Sequence, residues 1–172
     1  QVFSTLAGVT QLRELQLHGS KVTNLAPLAG MAELDSVWID APEVDSLAPL
    51  TKLSNLTFVG LTDTKALGNQ RQAEPAPLAT LPKLTNLTVL LSPHDTSYLR
   101  AFSGLEALTI SASGAKTLDL GGLAALSKLV AVDIRGAEVE RLAPLVQIKS
   151  LRQVIIQPSA TVSPSEIEAL RR

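Results

Sequence analysis

Residues 12–31 read LRELQLHGSKVTNLAPLAGM, and residues 34–53 read LDSVWIDAPEVDSLAPLTKL. The two stretches align without a gap. Each opens with Leu-x-x-Leu/Val-x-Leu/Ile and then carries Val-x-x-Leu-x-Pro-Leu-x-x-Met/Leu. The opening triplet returns seven times: Leu12-Leu15-Leu17, Leu34-Val37-Ile39, Leu56-Val59-Leu61, Leu84-Leu87-Val89, Leu105-Leu108-Ile110, Leu129-Val132-Ile134 and Leu151-Val154-Ile156. Its period is about 22 residues, short enough that one unit cannot bury its own apolar side and must stack on the next. Such a chain offers a surface for binding, not a reactive pocket.

The first half of each unit alternates apolar and polar residues, which predicts a short strand. The second half has apolar residues three apart and predicts a 3₁₀ or short α-helical turn. Ala26-Pro27, Ala48-Pro49 and Ala143-Pro144 set an extended residue before Pro and start that turn. The middle units depart from the template. The third has roughly six extra residues, placed at Gly68–Pro77, with register resuming at Leu78 and Leu81. In the fourth, Asp95 or Thr96 is expected to cap a true α-helical turn that buries Tyr98, Leu99 and Phe102. The fifth has two extra residues, placed in a loop around Gly121-Gly122.

Phe3, Leu6 and Val9 match the end of a preceding unit, so the chain is expected to start mid-repeat, as a C-terminal piece (1–172) of a longer protein. Ser163-Pro164-Ser165-Glu166 has the form of a capping box, predicting a last helix that holds Ile167 and Leu170 and runs to about Arg172.

The pattern from Leu12 to Met31 resembles the bacterial class of leucine-rich repeats used by internalins. The resemblance implies an α/β fold of about seven repeats: a right-handed superhelix, with a curved parallel β-sheet on the concave face and 3₁₀ or short α segments on the convex face. It also implies a protein ligand on the concave face. The ninth position, often Asn in that family, is here Ser20, Pro42, Thr64, Ser92, Ser113, Ala137 and Ser159. Hydroxyls replace some of the missing Asn hydrogen bonds; at Pro42 and Ala137 looser turns are expected. Internalins are rich in Asn and Lys, whereas this chain is rich in Ala and Leu. In that respect it is similar to the C-terminal repeats of bacterial NACHT-type signalling NTPases, relatives of NLR receptors. That likeness implies a cytoplasmic sensor region whose N-terminal edge contacts a preceding domain. The alternatives are a secreted or surface adhesin-type module and an autoinhibitory or structural spacer.

No catalytic, cofactor or metal motif is present. The chain has two histidines, no cysteine and a net charge of −1, so disulfides and thiol chemistry are excluded and no basic footprint marks a nucleic-acid partner. No apolar run approaches the ~18–20 residues of a membrane span. An enzyme is therefore not expected.

Strand alternation projects the third, fifth and seventh residues of each unit outward, in columns across the sheet. The third column begins Glu14, Ser36, Phe58; the fifth Gln16, Trp38, Gly60; the seventh His18, Asp40, Thr62, Leu90, Ser111, Arg135. The only Trp, Trp38, thus points away from the core with Phe58 at a diagonal. Aromatic side chains on a small, polar face form the candidate binding site, with Gln16, His18, Asp40, Leu90 and Arg135 completing it. The competing reading makes Trp38 a structural plug lying flat over Gly60 and Phe58.

Overall fold

A computed structural model describes residues 8–18, 21–62, 76–91, 96–139, 141–157 and 167–168, with backbone alone at 76, 91 and 113–116. The insertion apart from its last two residues, Asp95, His94, Phe3, Leu6, the capping box and Leu170 lie outside these residues. So do Ser20, Thr64, Ser92 and Ser159. The chain forms two compact units, residues 1–88 and 89–172, the division falling within a strand.

In the first unit β1 (Glu14–His18), β2 (Ser36–Asp40) and β3 (Phe58–Thr62) run parallel in chain order, followed by β4 (Asn86–Leu91) at the division. Their apolar alternates, Val37, Ile39, Val59 and Leu61, are fully buried. The return path of each coil is built on a step of three. The N–H of Leu28 donates to the carbonyl of Leu25 (2.9 Å), Met31 to Leu28 (2.9 Å) and Leu34 to Met31 (3.1 Å). Leu47, Leu50, Leu53 and Leu56 repeat the chain. A 3₁₀ helix has three residues per turn, so side chains three apart share one side, and all eight of these are buried. The 3₁₀ turns span Ala26–Gly30, Ala48–Lys52 and Ala76–Thr80. Pro opens the first two, where its missing N–H would have had no helical partner.

Neighbouring coils are locked in register where each strand begins. The Arg13 carbonyl accepts the N–H groups of Asp35 (2.9 Å) and Ser36 (3.0 Å). The Asp35 carbonyl accepts those of Thr57 (2.8 Å) and Phe58 (3.1 Å), and the Thr57 carbonyl those of Thr85 and Asn86. Side chains reinforce the ladder: the Thr57 hydroxyl donates to the Asp35 carbonyl (3.1 Å), and Asn55 donates to the Ala32 carbonyl (2.9 Å).

The second unit has β5 (Ala107–Leu118), β6 (Ala131–Val139) and β7 (Gln153–Ile156), parallel in chain order, with the same ladder through the Glu106 and Val130 carbonyls. Its turns are 3₁₀ at Ser97–Ala101 and Gly121–Ala125, and one α-turn at Ala143–Val146. Leu78 and Leu81 are buried, so register does resume after the insertion. Ile167 and Glu168 are helical, with Ile167 exposed, as is Val9 near the start.

Several sequence expectations are corrected. The turn holding Tyr98 and Leu99 is 3₁₀, not α, and Thr96 makes no side-chain cap. Leu99 and Phe102 are buried as expected, while Tyr98 is half-buried. Thr96 occupies the slot filled by Leu25, Leu47, Leu120 and Leu142 elsewhere. Its buried hydroxyl donates to the Asp119 carbonyl (2.6 Å) and accepts the Gly122 N–H (3.1 Å). Gly121-Gly122 is accordingly no loop. Gly122 stands where other coils have Pro, and supplies the N–H that Pro lacks. A Cβ there would overlap the Thr96 carbonyl. The extra residues of this coil lie earlier, in β5, where pairing shifts from Ser111↔Arg135 to Ala115↔Ala137 and then Leu118↔Val139. Such bulges absorb insertions while keeping the ladder on both sides. Ala137 loosens no turn: it is buried in the lengthened β6. Beside it Gly136 takes φ of +70°, and a Cβ there would meet the Ala112 carbonyl oxygen at 2.8 Å. At Pro42 the Val44 N–H donates to the Ala41 carbonyl (3.1 Å).

Candidate binding face

The register of β1–β3 aligns the outward columns as the alternation predicts. Glu14 faces Ser36 and Ser36 faces Phe58; Gln16 faces Trp38 and Trp38 faces Gly60; His18 faces Asp40 and Asp40 faces Thr62. Trp38 and Phe58 are both half-buried on this outer face. Their rings stack with centroids 5.9 Å apart and planes inclined by 17°. A pair of this geometry contributes about 0.5–1.5 kcal/mol beyond area burial. The indole leans across the neighbouring strand onto Gly60. A Cβ built on Gly60 would overlap the indole Cε3 and lie 2.8 Å from Cδ2 and 2.9 Å from Cζ3. Gly60 therefore sets the tilt of the indole: any side chain there would lift it away from the sheet. The plug geometry is present, and the aromatic surface is only partly covered by it.

A polar arc runs beside the pair. The Gln16 amide nitrogen donates to the Glu14 carboxylate (2.7 Å), its oxygen faces His18 Nε2 (3.1 Å), and His18 Nδ1 lies 3.9 Å from the Asp40 carboxylate. Five of the site residues read from the sequence, Gln16, His18, Trp38, Asp40 and Phe58, are thus brought together in the first unit. Glu14 joins them; its signal was its place two residues before Gln16 on one strand.

Leu90 and Arg135 belong to the second unit. Leu90 is half-buried on β4. Arg135 is exposed on β6, but its guanidinium is committed to Asp133 two residues earlier, Nε at 2.9 Å and Nη2 at 2.6 Å from one carboxylate oxygen. Hydrogen bonding to Asp133, and its charge, raise the Arg135 pKa above the ordinary arginine value. The other Asp133 oxygen is buried with no hydrogen-bond partner. Asp133 is not among the candidate residues, although it shares the outward face of β6 two residues before Arg135. Among the described residues no group of three His, Cys, Asp or Glu could hold a metal ion.

Parallel coils joined by 3₁₀ turns recur in solved structures. Internalin C2 of Listeria monocytogenes superposes with a TM-score of 0.68 at 24% identity, over 90% of this chain and 65% of that one. Here the fold is that of a leucine-rich repeat protein. Internalin F of the same organism gives a TM-score of 0.65 at 22% identity, over 97% of this chain and 54% of the other. A chain of the Toll–Spatzle complex of Drosophila gives 0.68 at 14%, over 87% and 20%. The leucine-rich repeat chain thus spans less than two-thirds of the structures it resembles, and at these identities the likeness is one of fold. No protein-family model matches the sequence, and no curated protein matches it.

Proposed function

We propose that this chain is a non-enzymatic recognition domain that binds a protein through the outer face of β1–β3. The observation that carries the reading is the stacked Trp38–Phe58 pair, held half-exposed on a small, polar sheet face by the absence of a side chain at Gly60. Large aromatics in such a setting dominate binding energy when a partner excludes water from them. The Toll–Spatzle structure lends support, since there the same fold occurs in a complex of two proteins.

Within that reading we place the domain at the sensor end of a cytoplasmic bacterial NLR-like signalling NTPase, with its N-terminal edge against the preceding domain. The Ala- and Leu-rich repeat style supports this placement. A P-loop encoded upstream would support it further, whereas a signal peptide upstream would support the adhesin-type module. The binding face is tested by panning a random-peptide display library on the native chain and on Trp38→Ala and Phe58→Ala. Folding of each variant is checked by far-UV circular dichroism. Binders that lose at least about tenfold in affinity on either variant support the face. Binders indifferent to both substitutions refute it.

A further inference from the structure

The aromatic pair is bordered by negative charge that no described residue of β1–β3 neutralises. β1, β2 and β3 turn two carboxylates outward, Glu14 and Asp40, and no lysine or arginine. The Glu14 carboxylate meets the neutral Gln16 amide, and the Asp40 carboxylate lies 3.9 Å from the His18 ring, too long for a hydrogen bond. On β6 the arrangement is the opposite: Asp133 is matched by Arg135 from the same strand. Among the described residues, β1–β3 thus carry no lysine or arginine to answer Glu14 or Asp40 as Arg135 answers Asp133.

Resting on the recognition role proposed above, we infer that the Trp38 site takes an arginine side chain from its protein partner. The indole offers a face to a delocalised cation, and Trp is the best of the aromatic residues for this. Asp40, two residues on from Trp38 along β2 and on the same side of the sheet, accepts the guanidinium N–H fork. Glu14, diagonal to Trp38 across β1–β2, adds a second negative charge. Arginine is favoured over lysine because its planar group is weakly hydrated, stacks on an aromatic face and binds a carboxylate through two parallel bonds; an ammonium must keep more of its water.

Trp38 is the chain's single tryptophan, so its emission reports on the site directly. The intact chain is titrated with blocked pentapeptides Gly-Gly-X-Gly-Gly, where X is arginine, citrulline, lysine, leucine or glutamate. The arginine peptide is expected to give a saturable emission change, about tenfold weaker when citrulline removes the charge at nearly constant shape. Asp40→Asn, on the exposed face and with unchanged circular dichroism, is expected to lose about tenfold in affinity for arginine and nothing for leucine. Raised salt should weaken binding of the arginine peptide and leave that of the leucine peptide unchanged. If leucine binds as well as arginine, or Asp40→Asn leaves arginine binding intact, the arginine assignment is overturned while the face remains. Silence from every peptide, with displayed binders still dependent on Trp38, overturns the assignment alone. Loss of that dependence overturns the face itself.

Discussion

Replacing Gly122 by Ala tests the inter-coil packing of the second unit, because the outcome is opposite to that of an ordinary Gly→Ala change. At a position with open space and negative φ the substitution stabilises by about 0.4–1 kcal/mol, through the unfolded chain. Gly30 is such a position: it closes the turn Ala26–Gly30 and a Cβ there meets nothing within 4 Å. At Gly122 the added carbon would overlap the Thr96 carbonyl, a backbone group that cannot rotate away. The coils would have to part, which overpacked cores resist at about 1–3 kcal/mol. Parting also lengthens the 3.1 Å bond from the Gly122 N–H to the Thr96 hydroxyl, whose loss inside the protein costs a further ~1–3 kcal/mol. After the entropic gain is subtracted, the net destabilisation is about 1–5 kcal/mol. For a chain of this length that lowers Tm by roughly 3–15 °C. Thermal melts by far-UV circular dichroism, with Gly30→Ala alongside, measure both. The reasoning is refuted if Gly122→Ala melts at or above the native temperature, or if the two variants move together.

Three further outcomes follow from the same geometry. Thr96→Val keeps the volume but strands the Asp119 carbonyl and the Gly122 N–H, and should cost about 2–4 kcal/mol in urea titrations; a neutral result would show water serving both groups. Gly136→Ala forces a side chain to φ of +70° against the Ala112 carbonyl and should cost about 1–3 kcal/mol by the same assay; native stability would show that the backbone there relaxes freely. Arg135→Gln should cost about 1 kcal/mol. Because Asp133 raises the Arg135 pKa, the pair's contribution is fully present below the ordinary arginine value and is lost only as pH rises through the raised one. The gap between native and Arg135→Gln stability should stay flat from about pH 7 to about pH 10; a slope in that window would contradict the pairing.

The strands and outward columns were legible because a period of two and a period of three are local properties of the chain. Leu15, Leu17, Val37 and Ile39 had to share one side whatever lay beside them, and Trp38 had to take the other. The diagonal approach of Phe58 then followed from strand spacing alone. What the sequence hid was chosen between coils. Thr96 looks like a helix cap and Gly122 like a loop residue until they are seen as one pair, a hydroxyl in a Leu slot answered by an N–H in a Pro slot 26 residues on. The extra residues of the fifth coil were assigned to the nearest glycines, whereas the register shifts in β5 hold them, a choice made by pairing with β6. At Arg135 alternation gave the direction of the side chain but not its partner. Asp133 shares that face at a spacing of two, and the pair closes on itself.

The account stands on the position of one indole. In a proton NMR spectrum of the intact chain, Trp38 Hε3 should show strong cross-relaxation to the Gly60 Hα protons, and the indole to the Phe58 ring, as the tilt over β3 requires. Cross-peaks from the indole to the methyl groups of Val37, Ile39 or Leu61, with none to Gly60, would turn Trp38 into the core and leave no aromatic face to bind.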